Sequence, residues 1–522
     1  MSHGCCLAQT HMCLVDITTI GRMYQKLTKL NLPNPQTVLP TKNKTVMEIS
    51  NQIKTKHLFQ RAGFGATLAQ IQEFEDKLPS KVMKYLLKDA EKNEPLNIVS
   101  EEPTTFAEKR KVIKEMMTME GLSPEKIKEK LREEREKITN LNFAWVNRMV
   151  SGEAMLREKM TLFWHGHFAC RSRKVLFDQR LNNVIRENAL GKFGDLLLAV
   201  SKSPAMLQFL NNQQNKKDSP NENFAREVME LFTLGRGNYT EYDIKEAARA
   251  FTGWGFNGQG EFIFRDRQHD EGEKTFQGKT GNFKGEDIIK IILQNSKTAT
   301  FITTKIYRYF VNENLDNHIV EQLAKRFRST DYDLQDLMEK IITSDWFYLP
   351  ENIGTRIKSP IELLVGMQRN FGISFEQKQA VLFIQKSLGQ ILFYPPNVAG
   401  WSGGKNWIDS STLLTRMKLP EIIFKAAEVT FKPKDDGDVS TECLSKRVNR
   451  IQAKIDWQAF EKAFITNNPQ ELIGKMESYL LSRPISESQK KMIKSKTEGK
   501  LGVELVQIIA QNITSLPEYQ LG

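Results

Sequence analysis

Residues 240–251 read TEYDIKEAARAF, and this stretch indicates the fold class. Its apolar residues recur at helical spacing and would share one helix face: Ile244, Ala247, Ala248 and Phe251. Thr240 stands where such a helix would begin, and Asp243 follows at the third position, as in a capping box. The stretch therefore predicts an amphipathic helix.

The same helical period dominates the chain on both sides of this stretch. Ser219, Pro220 and an acid two residues further on predict the start of a second helix, which would end near Gly235. Strand patterns are few, and the best ones, at 261–265 and 274–277, flank a polar turn. We therefore predict a mainly α fold, a multi-helix globular array with a small β-hairpin insert and irregular loops.

The length of 522 residues and the distribution of motifs suggest four segments. Residues 1–50 are polar at their end and lack pattern, so we expect a poorly ordered or mis-annotated start. The main helical domain would span 51–430 and contain all the motifs. An exposed linker, 431–441, would precede a C-terminal helical segment, 442–522, that packs on the main domain.

Charge and hydropathy exclude several classes of function. The formal net charge is +12, but basic and acidic stretches alternate along the chain, which is typical of a solvated surface. No recognition motif accompanies the charge, so nucleic-acid binding is unlikely. No apolar run is long enough to span a membrane, and no secretion signal is readable, which favours the cytoplasm.

The stretch 163–168, FWHGHF, contains the first candidate site residues, His165 and His167. On a straight helix the two imidazoles would diverge by roughly 200° and could not share an ion. If the chain became extended at Gly166, both would point the same way and form half of a metal site. Alternatively, they end a helix and pack among aromatic rings.

A second cluster lies in the predicted helix 221–232, where a polar face carries Glu222, Arg226, Glu227 and Glu230. Arg226 can pair with Glu222 and Glu230 at a separation of four residues, as in an ordinary surface ladder. If this face turns inward, Glu227 and Glu230 become candidate ligands or general acid–base groups, with Arg226 binding substrate.

Two loops carry the remaining candidates. The stretch 269–275, HDEGEKT, places His269 beside Asp270 and close to Lys274, which could ligate metal or relay a proton, or could form a plain turn. In 395–408 the residues Trp401 and Trp407 flank a Gly-Gly turn. They could line a carbohydrate or peptide groove, or could fix the loop as two buried indoles.

Taken in order, these motifs resemble the bacterial domain-of-unknown-function family 1800. The resemblance begins at HLFQRAGFG (57–65) and ends at SLPEY (515–519). Between them it passes through the following stretches: FWHGHF (163–168), NFARE (223–227), ELFTLG (230–235), ARAFTGW (248–254), HD (269–270) with KT (274–275), RIKSP (356–360), residues 397–407 and TLLTR (412–416).

The resemblance implies a mostly helical protein of uncharacterised function. It further implies a partner protein, since genes of this family often neighbour one for a sulfatase-like exported protein. Many relatives look exported, so the resemblance also allows export, in contrast to the missing signal.

From these residues we expect a metal-assisted hydrolase or related enzyme. His165, His167 and His269 would hold a divalent metal ion together with a carboxylate, and a spare carboxylate among Glu227, Glu230 and Asp270 would take a proton from the bound water. Arg226, Lys274, Trp401 and Trp407 would bind substrate. The alternative is a non-enzymatic helical scaffold that binds a partner protein, for example the neighbouring gene's product.

Overall fold

The computed structural model describes residues 49–100, 124–172, 174–429, 448–464 and 466–522. These residues form a mainly α protein, as the helical spacing predicts. The 21 α-helices of the described residues are α1 Asn51–Arg61, α2 Leu68–Phe74, α3 Pro79–Asp89, α4 Pro124–Ser151, α5 Met155–His167, α6 Val175–Asn188, α7 Phe193–Ser201, α8 Pro204–Phe209, α9 Glu222–Glu227, α10 Glu241–Ala250, α11 Gly285–Gln294, α12 Ser296–Phe310, α13 Asn317–Ser329, α14 Leu334–Ile342, α15 Pro360–Phe371, α16 Lys378–Leu388, α17 Ser410–Lys425, α18 Trp457–Phe464, α19 Pro469–Leu480, α20 Glu487–Ser495 and α21 Gly502–Thr514.

The strands are short and antiparallel. They are β1 Trp254–Phe256, β2 Phe262–Phe264, β3 Lys274–Phe276, β4 Lys279–Gly281, β5 Ser374–Phe375 and β6 Ala453–Lys454. Both predicted strand segments are present, but they do not pair with each other: β2 pairs with β1, and β3 pairs with β4. The insert is thus two hairpins rather than one, because each segment finds a nearer partner.

Helix starts follow the capping residues, with one shift. Thr240 and Asp243 form the predicted capping box, in which each side chain accepts from the other residue's backbone N–H. The second predicted helix starts later than expected, at Glu222, with Asn221 rather than Ser219 as its N-cap. The reason is a tight turn, in which the Ser219 N–H donates to the Lys216 carbonyl. This turn takes Ser219 out of the helix.

One continuous apolar core runs through the described residues. It includes Leu58 of α1, Trp164 of α5 and Ile509 of α21, each fully buried. β6 pairs with β5, so residues beyond 448 share both core and sheet with the preceding helices. The predicted boundaries stay predictions, since the linker 431–441 and residues 1–48 lie outside the described residues.

No helix of the described residues combines the length and the apolar character that a membrane span requires.

Candidate functional site

The two histidines of FWHGHF point away from each other. Helix α5 continues through Gly166 and His167, so the interpretation with an extended chain at Gly166 is wrong. His165 Nε2 accepts a hydrogen bond from the Phe393 N–H at 3.1 Å, and its ring packs against Trp145 and Trp401. Burial, with Arg186 nearby, lowers the pKa of His165 to about 3, so the ring is neutral.

His167 lies on the other side of α5 and has both ring nitrogens engaged. Its Nε2 lies 3.1 Å from the Phe232 carbonyl oxygen, and its Nδ1 lies 3.1 Å from Lys305 Nζ. A carbonyl can only accept, so Nε2 carries the proton and Nδ1 accepts from the ammonium of Lys305. Burial and the Lys305 charge hold the pKa of His167 well below its ordinary value.

The carbonyls that hold this pair come from an irregular helix. Residues Val228–Thr233 continue α9 as a π-helix, in which the Leu234 N–H donates to the Met229 carbonyl, five residues back. The carbonyls of Leu231 and Phe232 point to side chains instead and accept from Lys305 Nζ at 3.0 Å and from His167. Single π-turns of this kind are frequent at functional sites. The motif ELFTLG therefore presents two backbone acceptors to one lysine–histidine pair.

Lys305, on α12, is a cation without a carboxylate partner among the described residues. Its ammonium contacts His167 Nδ1, the Leu231 carbonyl and the face of Phe301, with the ring centroid 4.7 Å away. Burial lowers the pKa of Lys305 to about 8. With two of its three N–H groups held, the third is free to meet a ligand.

The Lys305 side chain lines a cleft of about 280 Å³. Helices α5 and α12 form one side, and the loop 399–407 with its short 3₁₀-helix, Gly404–Trp407, forms the other. The polar and aromatic residues of the lining are His167, Lys305, Arg308, Tyr309, Glu313, Arg356, Ser359, Trp401, Ser402 and Trp407. Arg356 is neutralised by Glu362, at 2.9 Å, whereas Arg308 is exposed and forms no ion pair with a described residue. The cleft is therefore net positive.

The two tryptophans have different roles in this wall. Trp407 is 9% exposed and packs with Ile357, Ile408 and Leu413, so it anchors the loop. Trp401 is only partly buried and sits over His165, with ring centroids 5.6 Å apart. The backbone of the loop also approaches α5 closely: a Cβ added to Gly400 would lie 2.3 Å from the Gly166 carbonyl oxygen. The buried indole of one alternative is present at Trp407, whereas a carbohydrate or peptide groove at Trp401 stays a prediction.

Gly166 itself leaves part of the cleft empty. It lies inside α5, where glycine costs about 1 kcal/mol relative to alanine. A Cβ added to Gly166 would meet nothing within 4 Å, so close packing does not explain why this position has no side chain. Open space toward the cleft is what this glycine provides.

The polar face of α9 is a surface ladder, not an inward-facing site. Arg226 binds Glu241 through two hydrogen bonds and Glu222 through one. Each of the three side chains is more than a third exposed. The predicted pair between Arg226 and Glu230 does not form, because Arg236 Nε and the Tyr239 hydroxyl bind the Glu230 carboxylate instead. These partners hold the pKa of Glu230 below its usual range.

Glu227 differs from its neighbours in having no hydrogen-bond partner among the described residues. It is half-buried, and burial together with the Glu230 charge raises its pKa. It does not line the cleft.

The loop 269–275 ties the β-hairpins to α10. The Asp270 carboxylate receives two hydrogen bonds from Arg249, at 2.7 and 3.1 Å, and these lower its pKa. Lys274 Nζ is buried on the carbonyls of Asp270 and Gly272. His269 Nδ1 lies 2.9 Å from the Thr252 carbonyl, and its Nε2 is buried without a partner. These contacts match the interpretation of this segment as a turn.

The predicted site residues therefore do not share one space. Only His167, Trp401 and Trp407 of the predicted residues line the cleft. Within the described ranges, no three His, Cys, Asp or Glu side chains lie close enough to hold a metal ion. The predicted ligands instead have separate partners: Phe393 for His165, Lys305 for His167 and Thr252 for His269.

Sequence reasoning missed Lys305 and Arg308. Both lie in α12, SKTATFITTKIYRYF (296–310), whose buried face includes Ile302, Ile306 and Phe310. One signal was available in the sequence. Lys305 lies beside this apolar stripe and four residues after Phe301, so its side chain did not have to face solvent along its whole length.

Comparison with known proteins agrees with this arrangement of motifs. Residues 57–521 match the family DUF1800, described as a protein of unknown function. The chain belongs to DUF1800. The match begins within α1 and extends beyond α21, so the cleft, the π-helix and the hairpins all lie within the DUF1800 region. No curated protein and no solved structure is significantly similar to this chain.

Proposed function

We propose that this protein recognises a small acidic carbohydrate in the cleft between α5, α12 and the loop 399–407. The observation that carries the proposal is Lys305: a partly buried ammonium in an aromatic cleft, held by His167 and Leu231, that forms no ion pair with a carboxylate of the described residues. A buried cation without a counter-charge is costly, and an acidic ligand would compensate that cost.

The wall opposite Lys305 suits a sugar ring. Trp401 presents part of an indole to the cleft, and indole faces pack well against the apolar faces of rings. Ser402 and the Glu313 carboxylate line the same space and offer acceptors to ring hydroxyls. A volume of about 280 Å³ lies at the lower end of the range for ligand sites, which favours one ring over a chain.

The empty space beside Gly166 supports the same proposal. A helix that gives up stability without a packing reason is typical of a site where function opposes stability. The open volume lies next to His167 and Trp401, where a ligand would contact the cation and the indole together.

Binding of single sugars tests the proposal. Calorimetric titration with glucuronate and galacturonate should give saturable binding, and glucose should bind at least tenfold more weakly. Lys305→Met should lose this preference for the acids, since it removes the cation while keeping the stem. Lys297→Met is the matched control: the same change at an exposed position of the same helix should bind as wild type. Equal binding of acids and glucose, or no loss in Lys305→Met, contradicts the proposal.

Metal-assisted hydrolysis stays a second proposal, with less support. His167 is the one predicted histidine on the cleft, and its Nδ1 already accepts from Lys305, so an ion there would have to displace the ammonium. Metal analysis of the purified protein tests it: stoichiometric zinc, manganese or iron supports the hydrolase, and metal-free protein that binds acids as above contradicts it.

The scaffold that binds a neighbouring gene's product remains a proposal too. Co-expression of the two proteins, followed by pull-down with wild type and Lys305→Met, separates it from ligand recognition: a scaffold should retain its partner in both.

A further inference from the structure

A smaller cavity, of about 30 Å³, shares Arg356 with the cleft. Its walls come from α1, from the segment before α15, from α15 itself and from the end of α19. Its charged lining residues are Lys56, Arg61, Arg356, Lys358 and Glu362. Four basic side chains thus face one acidic side chain, and the backbone of Gly522 lines the same space. Burial lowers the pKa of Lys56 to about 8 and that of Lys358 to about 7, so most of the positive charge lies on the two arginines.

The single carboxylate is already fully used. Glu362 pairs with Arg356 at 2.9 Å and with Lys159, which lies behind it. Burial acts to raise the pKa of Glu362, but these two cations hold it well below its ordinary value. Among the described residues, Glu362 therefore forms ion pairs with Arg356 and Lys159 and with none of the other basic side chains that line the cavity.

Arg61 has the largest unmet demand. It is 1% exposed, and its Nη2 donates to the Asn352 carbonyl and the Thr355 hydroxyl. Its Nε and Nη1 have no hydrogen-bond partner in the part of the chain that the structure describes. A buried guanidinium with orphan N–H groups loses hydration without compensation, which strongly favours any anion that can reach it.

We propose that this cavity binds a monatomic anion, chloride, beside the Arg61 guanidinium. A volume of about 30 Å³ has room for one or two water-sized particles. A water molecule would satisfy the N–H groups but would bring no charge to the guanidinium. Chloride supplies acceptor and charge together, in a space too small for a carboxylate ligand of the size expected in the cleft.

Bromide substitution tests the site directly on the intact protein. Crystals of wild type grown in sodium bromide should show an anomalous peak in contact with Arg61 Nε or Nη1. Ordinary density without an anomalous signal at that place would mean water and would overturn the proposal.

Stability in matched salts gives an independent test. Urea denaturation in sodium chloride should show a stabilisation over sodium gluconate of equal ionic strength that grows with the chloride concentration, because gluconate is too large for the cavity. Once chloride exceeds its dissociation constant, a tenfold rise should increase the folded-to-unfolded ratio about tenfold. Equal stability in the two salts would overturn the proposal.

The variant Lys358→Met assigns the effect to the cavity. It removes one lining cation and should reduce the chloride-specific stabilisation at least threefold. Lys325→Met removes an exposed lysine of α13 and should leave the stabilisation unchanged. If both variants respond to chloride as wild type does, the anion binds elsewhere and the proposal fails.

Discussion

The surroundings of Lys305 determine both the orientation and the pKa of its ammonium group. Its two acceptors, His167 Nδ1 and the Leu231 carbonyl, fix two of its hydrogens and direct the rest of the group to the cleft. Burial favours the neutral amine and lowers its pKa to about 8, so the group titrates in a range that experiments reach easily.

We therefore expect the affinity for acidic sugars to depend on pH. Only the charged ammonium attracts an anion, and it is lost as the pH rises through about 8. Affinity should be flat between pH 6 and about 7.5 and should fall by about tenfold per unit above pH 8 to 9. Titration calorimetry from pH 6 to 10 measures this, with Lys305→Met as a flat reference. Constant affinity up to pH 10 would rule out a direct role of Lys305.

Gly166→Ala should separate stability from binding. The added methyl group meets nothing within 4 Å and improves the helix, so the free energy of unfolding should rise by about 0.5–1 kcal/mol. The same methyl group occupies the cleft, so acidic sugars should bind several-fold more weakly.

Gly474→Ala is the control for that change. Gly474 also lies inside a helix, α19, with nothing within 4 Å of an added Cβ, but it is not part of the cleft lining. It should gain similar stability, measured by urea denaturation, and keep full binding. Unchanged binding in Gly166→Ala as well would show that the ligand does not use this space.

At the residue scale, the sequence predicted the orientation of single side chains better than the contacts between side chains that are distant in the chain. The divergence of His165 and His167 on a straight helix follows from helical geometry alone, and it is confirmed. That His167 would meet Lys305, 138 residues later, has no local signal. It depends on how α5 and α12 pack.

The π-helix Val228–Thr233 is the element that the sequence could not predict. Its residues fit an α-helical stripe equally well, and the extra residue per turn is set by packing. By contrast, the capping box of Thr240 and Asp243 is a local exchange of hydrogen bonds and was predictable to the residue. Local chemistry thus specifies where α10 starts, and tertiary contacts decide how α9 continues.

The end of the π-helix is expected to be sensitive to Gly235→Ala. Gly235 has a φ of +77° and its added Cβ would lie 2.9 Å from the Phe301 ring, which in turn packs on Lys305. We expect a loss of about 1–2 kcal/mol from the left-handed backbone, plus the cost of displacing Phe301.

Gly237→Ala provides the comparison. Gly237 has a φ of +81° but meets nothing within 4 Å, so only the backbone cost of about 1–2 kcal/mol applies. In urea denaturation Gly235→Ala should be the less stable of the two, and it alone should weaken sugar binding. Equal losses in both variants would mean that Phe301 yields freely.

For the whole molecule, three buried histidines predict sensitivity to mild acid. Burial is the first cause that lowers the pKa of His57, His165 and His167. The unfolded chain then binds more protons than the folded one below about pH 6.5, so stability is present above that pH and is lost as the pH falls. Each histidine contributes at most about 1.4 kcal/mol per pH unit.

The variant His165→Gln checks this account between about pH 5.5 and 7, a range above most of the titration of ordinary carboxylates. Glutamine keeps an acceptor for the Phe393 N–H but does not titrate. The slope of the free energy of unfolding against pH should fall by up to about 1.4 kcal/mol per pH unit relative to the wild type. An unchanged slope would mean that other groups cause the acid sensitivity.

The predicted helical class is confirmed for the described residues, because helical period and capping are local properties. The predicted common site had no such basis. His269, Asp270 and Lys274 are engaged by Thr252, by Arg249 and by their own loop, which no spacing in the sequence reveals.

The backbone contact between Gly400 and Gly166 has a practical consequence. Main-chain atoms and the buried Trp407 fix the position of the loop, whereas the Trp401 indole extends from it toward His165. Exchanging Trp401 for tyrosine, histidine or arginine therefore alters what the wall offers while its scaffolding stays in place. Substitution of Trp401 is therefore a direct way to change which ligands this cleft selects.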